Sequence, residues 1–103
     1  MQPNYSKYAL MMKSLSDETR VEIFAMLSAG ELCAREILEE FQITQPTLSY
    51  HMKILSESGL VNSRRDGVWM KYSINREHLE MIQQFLDGID ARIEKQSQCC
   101  ELN

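Results

Sequence analysis

Apolar residues recur at helical spacing over most of the chain and change to a strand-like pattern in one short stretch. Near the start, Tyr5, Tyr8, Met12 and Leu15 follow one another at intervals of three and four residues. This spacing places the four side chains on one side of a helix. It predicts an amphipathic first helix over residues 5–15, with an apolar face available for packing against another element.

A second helix is predicted between Ser16 and Gly30. The Ser16 hydroxyl can cap the first turn, and Asp17 and Glu18 would place negative charge at the positive end of the helix dipole. Apolar residues from Val21 onward supply a buried face, and the glycine ends the helix.

Two further helices separated by a short turn predict a helix-turn-helix over residues 34–58. The first of them spans 34–41. The second is capped by Thr44 and carries Pro46 in its first turn, where the missing N–H of proline costs nothing. Two such helices, the second with polar side chains near its N-terminus, are typical of DNA-reading proteins. The predicted buried stripe of this recognition helix consists of Leu48, Met52 and Leu55.

The pattern changes to that of strands after Gly59. Residues 60–65 and 68–74 are rich in β-branched and aromatic side chains and are separated by Asp66-Gly67, a strong hairpin signal. The hairpin predicts a wing over residues 60–74. Helical spacing then returns from residue 76 to about residue 96. The predicted fold is therefore mainly α with a β-hairpin wing (α+β), a winged helix-turn-helix with the order α-α-α-α-β-β-α.

Length and charge refine this prediction. The chain has 103 residues and a net charge of −4, a size that suits one domain over 1–103. Residues 44–72 hold four basic and two acidic side chains, a local charge of +2, and the rest of the chain carries −6. A basic patch on an acidic body is typical of a DNA-binding face. We expect a cytoplasmic protein, because no run approaches the roughly 18 apolar residues of a membrane span and no signal peptide precedes the first helix.

The polar side chains of the recognition helix and wing are the candidate DNA contacts. Amide and hydroxyl groups near the helix start can meet base edges or phosphates, and basic side chains can bind phosphates. The alternative is an ordinary solvated helix face and hairpin, which the clustered positive charge disfavours. The residues predicted to contact DNA are Gln45, Thr47, Ser49, Tyr50, Lys53, Arg64, Arg65 and Lys71.

Several motifs in this order resemble the arsenical-resistance repressor (ArsR/SmtB) family of winged-helix metalloregulators. The motifs are LSDETR at 15–20, GELC at 30–33, QPTLSYHMKIL at 45–55, SGLV at 58–61 and RRDG at 64–67. The resemblance implies a non-enzymatic transcriptional repressor. It also implies a homodimer built on helices 5–15 and 76–96 and bound to palindromic double-stranded operator DNA.

The cysteines are the candidate inducer site. Arsenite-sensing members of the family carry a cysteine cluster here, of which this chain keeps Cys33, with Arg35 and Leu38 where others would stand. Two interpretations of Cys33 stay open. It can serve only as the N-cap of a capping box with Glu36, or its thiol can bind an inducer, since a helix N-terminus favours the thiolate.

Cys99 and Cys100 form a vicinal pair in the tail over residues 97–103. Soft thiolates suit trivalent arsenic or antimony, and the third ligand can be Cys33 of either subunit or a small external thiol. We therefore expect no constitutive cofactor and an As(III) or Sb(III) inducer. The alternatives are a redox or persulfide sensor built on the same cysteines and an incidental pair on a disordered tail.

Other chemistries are weaker readings of the sequence. The family's zinc site is not expected, because of its ligands only His78 is kept. His51, Trp69 and Tyr72 are interpreted as packing residues. A winged-helix module that binds protein rather than DNA remains an alternative, whereas a thiol oxidoreductase is disfavoured because the Cys-x-x-Cys spacing is missing.

Overall fold

The computed structural model describes the backbone of residues 4–101 and the side chains of residues 4–95. No helix in this part of the chain is both long enough and apolar enough to cross a membrane. The helices are α1 (Tyr5–Ser14), α2 (Glu18–Met26), α3 (Ala34–Leu38), α4 (Gln45–Glu57) and α5 (Arg76–Glu101), with a 3₁₀ turn at Leu27–Ala29. The strands are β1 (Leu32–Cys33), β2 (Val61–Asp66) and β3 (Trp69–Ile74).

The wing is part of a three-stranded antiparallel sheet in the order β1-β3-β2, where two strands were predicted. The additional strand β1 pairs Leu32 with Tyr72 and Cys33 with Lys71. Two residues are too few to show an alternating pattern, and their partners lie far along the chain. The pairing attaches the start of α3 to the wing.

The hairpin turn lies one residue later than predicted. Asp66 pairs with Trp69, so Gly67 and Val68 are the two loop residues. Gly67 has a φ of 64°, a conformation open to glycine at the first central position of a hairpin turn.

Helix caps confirm one prediction and correct another. The Thr44 hydroxyl accepts from the Thr47 amide at 3.3 Å at the start of α4, with Pro46 in the first turn as expected. The cap of α2 is Asp17, whose carboxylate accepts from the Arg20 amide at 3.2 Å. Ser16, the predicted cap, instead donates to the Lys13 carbonyl at the end of α1. A carboxylate is the better acceptor at the positive end of a helix dipole.

Two helix lengths also differ from the prediction. The helix α3 ends at Leu38 rather than at residue 41, and α5 runs on to Glu101 rather than ending near residue 96.

The core joins the recognition helix α4 to the sheet and to α2. The predicted stripe is confirmed, since Leu48, Met52 and Leu55 are at most 2% exposed. The other buried members of this cluster are Ile23, Leu27, Ile37, Val61 and Tyr72. The packing fixes the outer side of α4 relative to the wing.

Candidate nucleic-acid interface

The outer side of α4 presents the predicted base-reading side chains together. All five candidates on this helix are exposed, and Tyr50 is 61% exposed. They lie away from the buried stripe because residues at other helical phases must face outward. The five are Gln45, Thr47, Ser49, Tyr50 and Lys53.

The two neighbouring arginines of the wing lie on opposite faces of the sheet. Arg65 pairs with Met70 and shares its face with the buried Tyr72, because side chains alternate along a strand. This face looks toward α4, and a cleft of about 200 Å³ between wing and helix is lined by Arg65, Gln45 and Ser49, among others. Arg65 therefore stands beside the recognition helix.

Arg64 lies on the reverse face and is held by an acidic residue. Its guanidinium donates twice to the Glu31 carboxylate, at 2.9 and 2.7 Å. This hydrogen bonding lowers the pKa of Glu31 and raises the pKa of Arg64. Lys71, paired with Arg64 across the strands, contacts Asp66 at 2.9 Å, and the Lys71 hydrogen bond lowers the pKa of Asp66. Both cations are already partly neutralised within the protein.

A buried arginine that was not singled out from the sequence holds the recognition helix. Arg20 is 9% exposed, and its Nε donates to the Ser14 carbonyl at 2.8 Å. Its Nη1 lies 3.0 Å from Nδ1 of His51, which confirms the packing role expected of this histidine. One guanidinium thus links the end of α1, α2 and α4. A signal was present, because Arg20 stands three residues before the buried Ile23 on the same helix face.

The candidate inducer site is only partly within the described region. Cys33 is half-buried at the N-cap of α3, where its amide donates to the Glu36 carboxylate at 2.9 Å. This capping box is the one expected, and the hydrogen bond lowers the pKa of Glu36. Cys99 and Cys100 lie outside the residues whose side chains are described. Within the described residues, no three His, Cys, Asp or Glu side chains are grouped to hold a metal.

The remaining aromatic and histidine predictions have mixed outcomes. Tyr72 is buried at 8% exposure, as expected of a packing residue. The same expectation is wrong for Trp69, which is 40% exposed and lies under the Arg35 guanidinium, 5.8 Å from the ring centre. Its position in β3 belongs to the reverse face of the sheet, and at the end of the hairpin it also lines the cleft beside α4. His78 is half-buried, and its ring lies close to Gly59.

Residues 17–63 match the profile of the arsR family of bacterial regulatory proteins. Over 87 residues the chain is 47% identical to the arsenical resistance operon repressor of Staphylococcus xylosus, with 84% of each chain covered. The chain belongs to the arsR family. It is therefore a DNA-binding transcriptional regulator rather than an enzyme, as the motifs implied.

Solved structures support the winged helix-turn-helix fold of this arsR-family protein. An ArsR-like transcriptional regulator from Rhodococcus sp. RHA1 superposes with a TM-score of 0.83 at 25% identity, covering 94% of this chain and 92% of its own. The winged helix-turn-helix domain of Mb0332 from Mycobacterium bovis, described as homodimeric, has a TM-score of 0.69 at 24% identity, with coverages of 88% and 85%.

Proposed function

We propose that this arsR-family protein is a homodimeric operator-binding repressor that trivalent arsenic or antimony releases from DNA. The observation that carries the proposal is the 47% identity, over 84% of both chains, to a repressor of an arsenical resistance operon. Likeness over so much of both chains supports a shared regulatory role as well as a shared fold.

The DNA-binding part of the proposal is supported by the arrangement around α4. Polar side chains that can read base edges share its outer side, and Arg65 stands next to them on the wing. Among the side chains of residues 4–95, neither Lys53 nor Arg65 forms a salt bridge. Their charges are free for phosphates, whose binding releases counterions.

The dimer is supported by apolar surface on α1 and α5. These helices pack on each other in the protomer through Tyr8 and Phe85, whose rings stack at 4.5 Å. Beyond this contact, large apolar side chains of both helices remain exposed, and a second copy would bury them as the two-fold interface of a dimer. The exposed set is Tyr5 at 64%, Met12 at 42%, Leu86 at 52% and Ile93 at 62%.

The inducer is argued from the donor chemistry. The chain has three cysteines, and trivalent arsenic or antimony suits soft thiolates, of which Cys33, Cys99 and Cys100 would supply three. Binding of an inducer by Cys33 would affect two elements, because the backbone of this residue belongs to both β1 and the capping box of α3. Displacing it would disturb the wing on one side and the helix-turn-helix on the other.

The test is fluorescence anisotropy with a promoter-derived palindromic duplex. Wild type is compared with Cys33→Ser and with Cys99→Ser/Cys100→Ser, each without inducer and with arsenite, antimonite, zinc or polysulfide. Serine is a good N-cap, so Cys33→Ser should keep the fold and the DNA affinity. We expect arsenite and antimonite to release the wild type and to release both variants much less. Cys33→Ala removes the thiol and the cap together, so its difference from Cys33→Ser isolates the contribution of the cap.

Each other outcome is informative. Release by polysulfide alone would replace the proposed inducer with a redox or persulfide signal. Release of both variants as readily as wild type would remove the cysteines from the mechanism. If the protein does not bind duplex DNA in a salt-dependent way, the operator-binding proposal fails and a protein-interaction module takes its place.

A further inference from the structure

A groove flanks the recognition helix on the side opposite to the wing. It lies between the end of α1, the start of α2 and the outer side of α4, and its volume is about 470 Å³. Tyr50 and Lys53 line it and also belong to the predicted DNA-reading side of α4. The other polar lining includes Lys13, Ser16, Arg20 and Glu57.

The groove carries positive charge that the protein does not neutralise. Lys13 and Lys53 are exposed, and neither forms a salt bridge with another side chain of residues 4–95. Arg20 is bonded to a backbone carbonyl and to His51. Glu57 is set against these three cations in the lining. The wing cations Arg64 and Lys71, by contrast, are each paired with a carboxylate.

We infer that this groove receives a phosphate of the operator backbone, which adds Lys13 to the DNA interface. A helix about 10–12 Å across occupies a major groove about 12 Å wide, so a sugar-phosphate backbone passes along each of its sides. The wing with Arg65 flanks one side of α4, and the α1–α2 groove flanks the other. Phosphate oxygens accept hydrogen bonds from donors such as a lysine ammonium and a tyrosine hydroxyl. The inference rests on the proposed DNA-binding function.

The role of Lys13 is tested by the salt dependence of duplex binding. Full-length wild type and Lys13→Gln are titrated onto the palindromic duplex at several salt concentrations. We expect the slope of log K against log salt to become shallower by about 0.9 for each Lys13 that contacts a phosphate, or about 1.8 in a dimer. Lys7→Gln is the matched control, because this lysine of the same helix lies outside the groove lining. It should leave the slope unchanged.

A chemically modified duplex can identify which phosphate Lys13 contacts. Replacing single phosphates in turn by neutral methylphosphonates should reveal one position that weakens wild type but not Lys13→Gln. An unchanged slope for Lys13→Gln, in a protein whose wild-type slope is steep, overturns the inference and leaves the proposed function standing. A change in the dimer dissociation constant without a change of slope also overturns it. Absence of salt-dependent binding by wild type removes both proposals together.

Discussion

The two faces of the wing sheet are built from alternating residues of the same strands but have different partners. The face toward α4 carries Arg65, Met70 and the buried Tyr72. The reverse face carries Arg64 and Lys71, each held by a carboxylate, and the exposed Trp69 under Arg35. Neighbouring arginines therefore differ in what they can do, because successive side chains of a strand point to opposite faces.

The difference shows that basic residues in a motif are not equivalent phosphate ligands. A guanidinium already bonded to a carboxylate must exchange that partner for a phosphate, whereas Arg65 forms no such pair among the side chains of residues 4–95. Exposed ion pairs are individually weak, so Arg64 can exchange its carboxylate for a phosphate. Breaking the ion pair nevertheless reduces the free energy that the phosphate contact contributes to DNA binding. The reverse face is better explained as a structural support that attaches the 31–36 segment to the wing.

The largest expected effect is on stability. Tyr72→Ala should destabilise the protein by about 3–5 kcal/mol, because removing a buried aromatic ring leaves a cavity next to the recognition helix. Trp69→Ala should cost less, about 2 kcal/mol, because this ring is only partly buried and adds one cation–π contact with Arg35. Urea unfolding at one protein concentration measures both. Equal costs for the two variants would contradict the assignment of one face to the core and the other to the surface.

A smaller effect is expected on DNA binding. Arg65→Gln should make the salt slope of duplex binding shallower by about 0.9 for each subunit. Arg64→Gln is its matched control one residue away, and we expect less than half of that change because Glu31 already holds the Arg64 guanidinium. Anisotropy titrations over a range of salt concentrations compare them. A larger loss for Arg64→Gln than for Arg65→Gln would reverse the roles of the two faces.

The smallest expected effect concerns the reverse face in acid. The Arg64 hydrogen bonds lower the pKa of Glu31 below its usual 4.5, so the ion pair stabilises the fold above that pH and is lost as the pH falls through the lowered pKa. Carboxylate titration by NMR should show this low midpoint in wild type. In Arg64→Gln the Glu31 midpoint should rise toward its usual value, while that of Asp66, held mainly by Lys71, should change much less. A Glu31 midpoint unaffected by the substitution would contradict the Arg64–Glu31 ion pair.

Much of the fold was predictable because its signals are local. The Thr44 cap with Pro46, the stripe of Leu48, Met52 and Leu55, and the hairpin at Asp66-Gly67 each depend on residues within one turn of helix or one tight turn. The errors of one residue are also local: at the cap of α2 two adjacent polar residues both suit the position, and the hairpin loop is Gly67-Val68 instead of Asp66-Gly67.

The sequence by itself determined which elements form, their order, and which side of the recognition helix faces outward, because spacing and caps act over a few residues. Only the tertiary structure decided which cations are free. The Arg64–Glu31 and Arg20–His51 contacts join residues 33 and 31 positions apart, and β1 meets β3 over a similar separation. Such partners are brought together by the packing of whole elements against one core. No local spacing of residues in the sequence predicts these contacts.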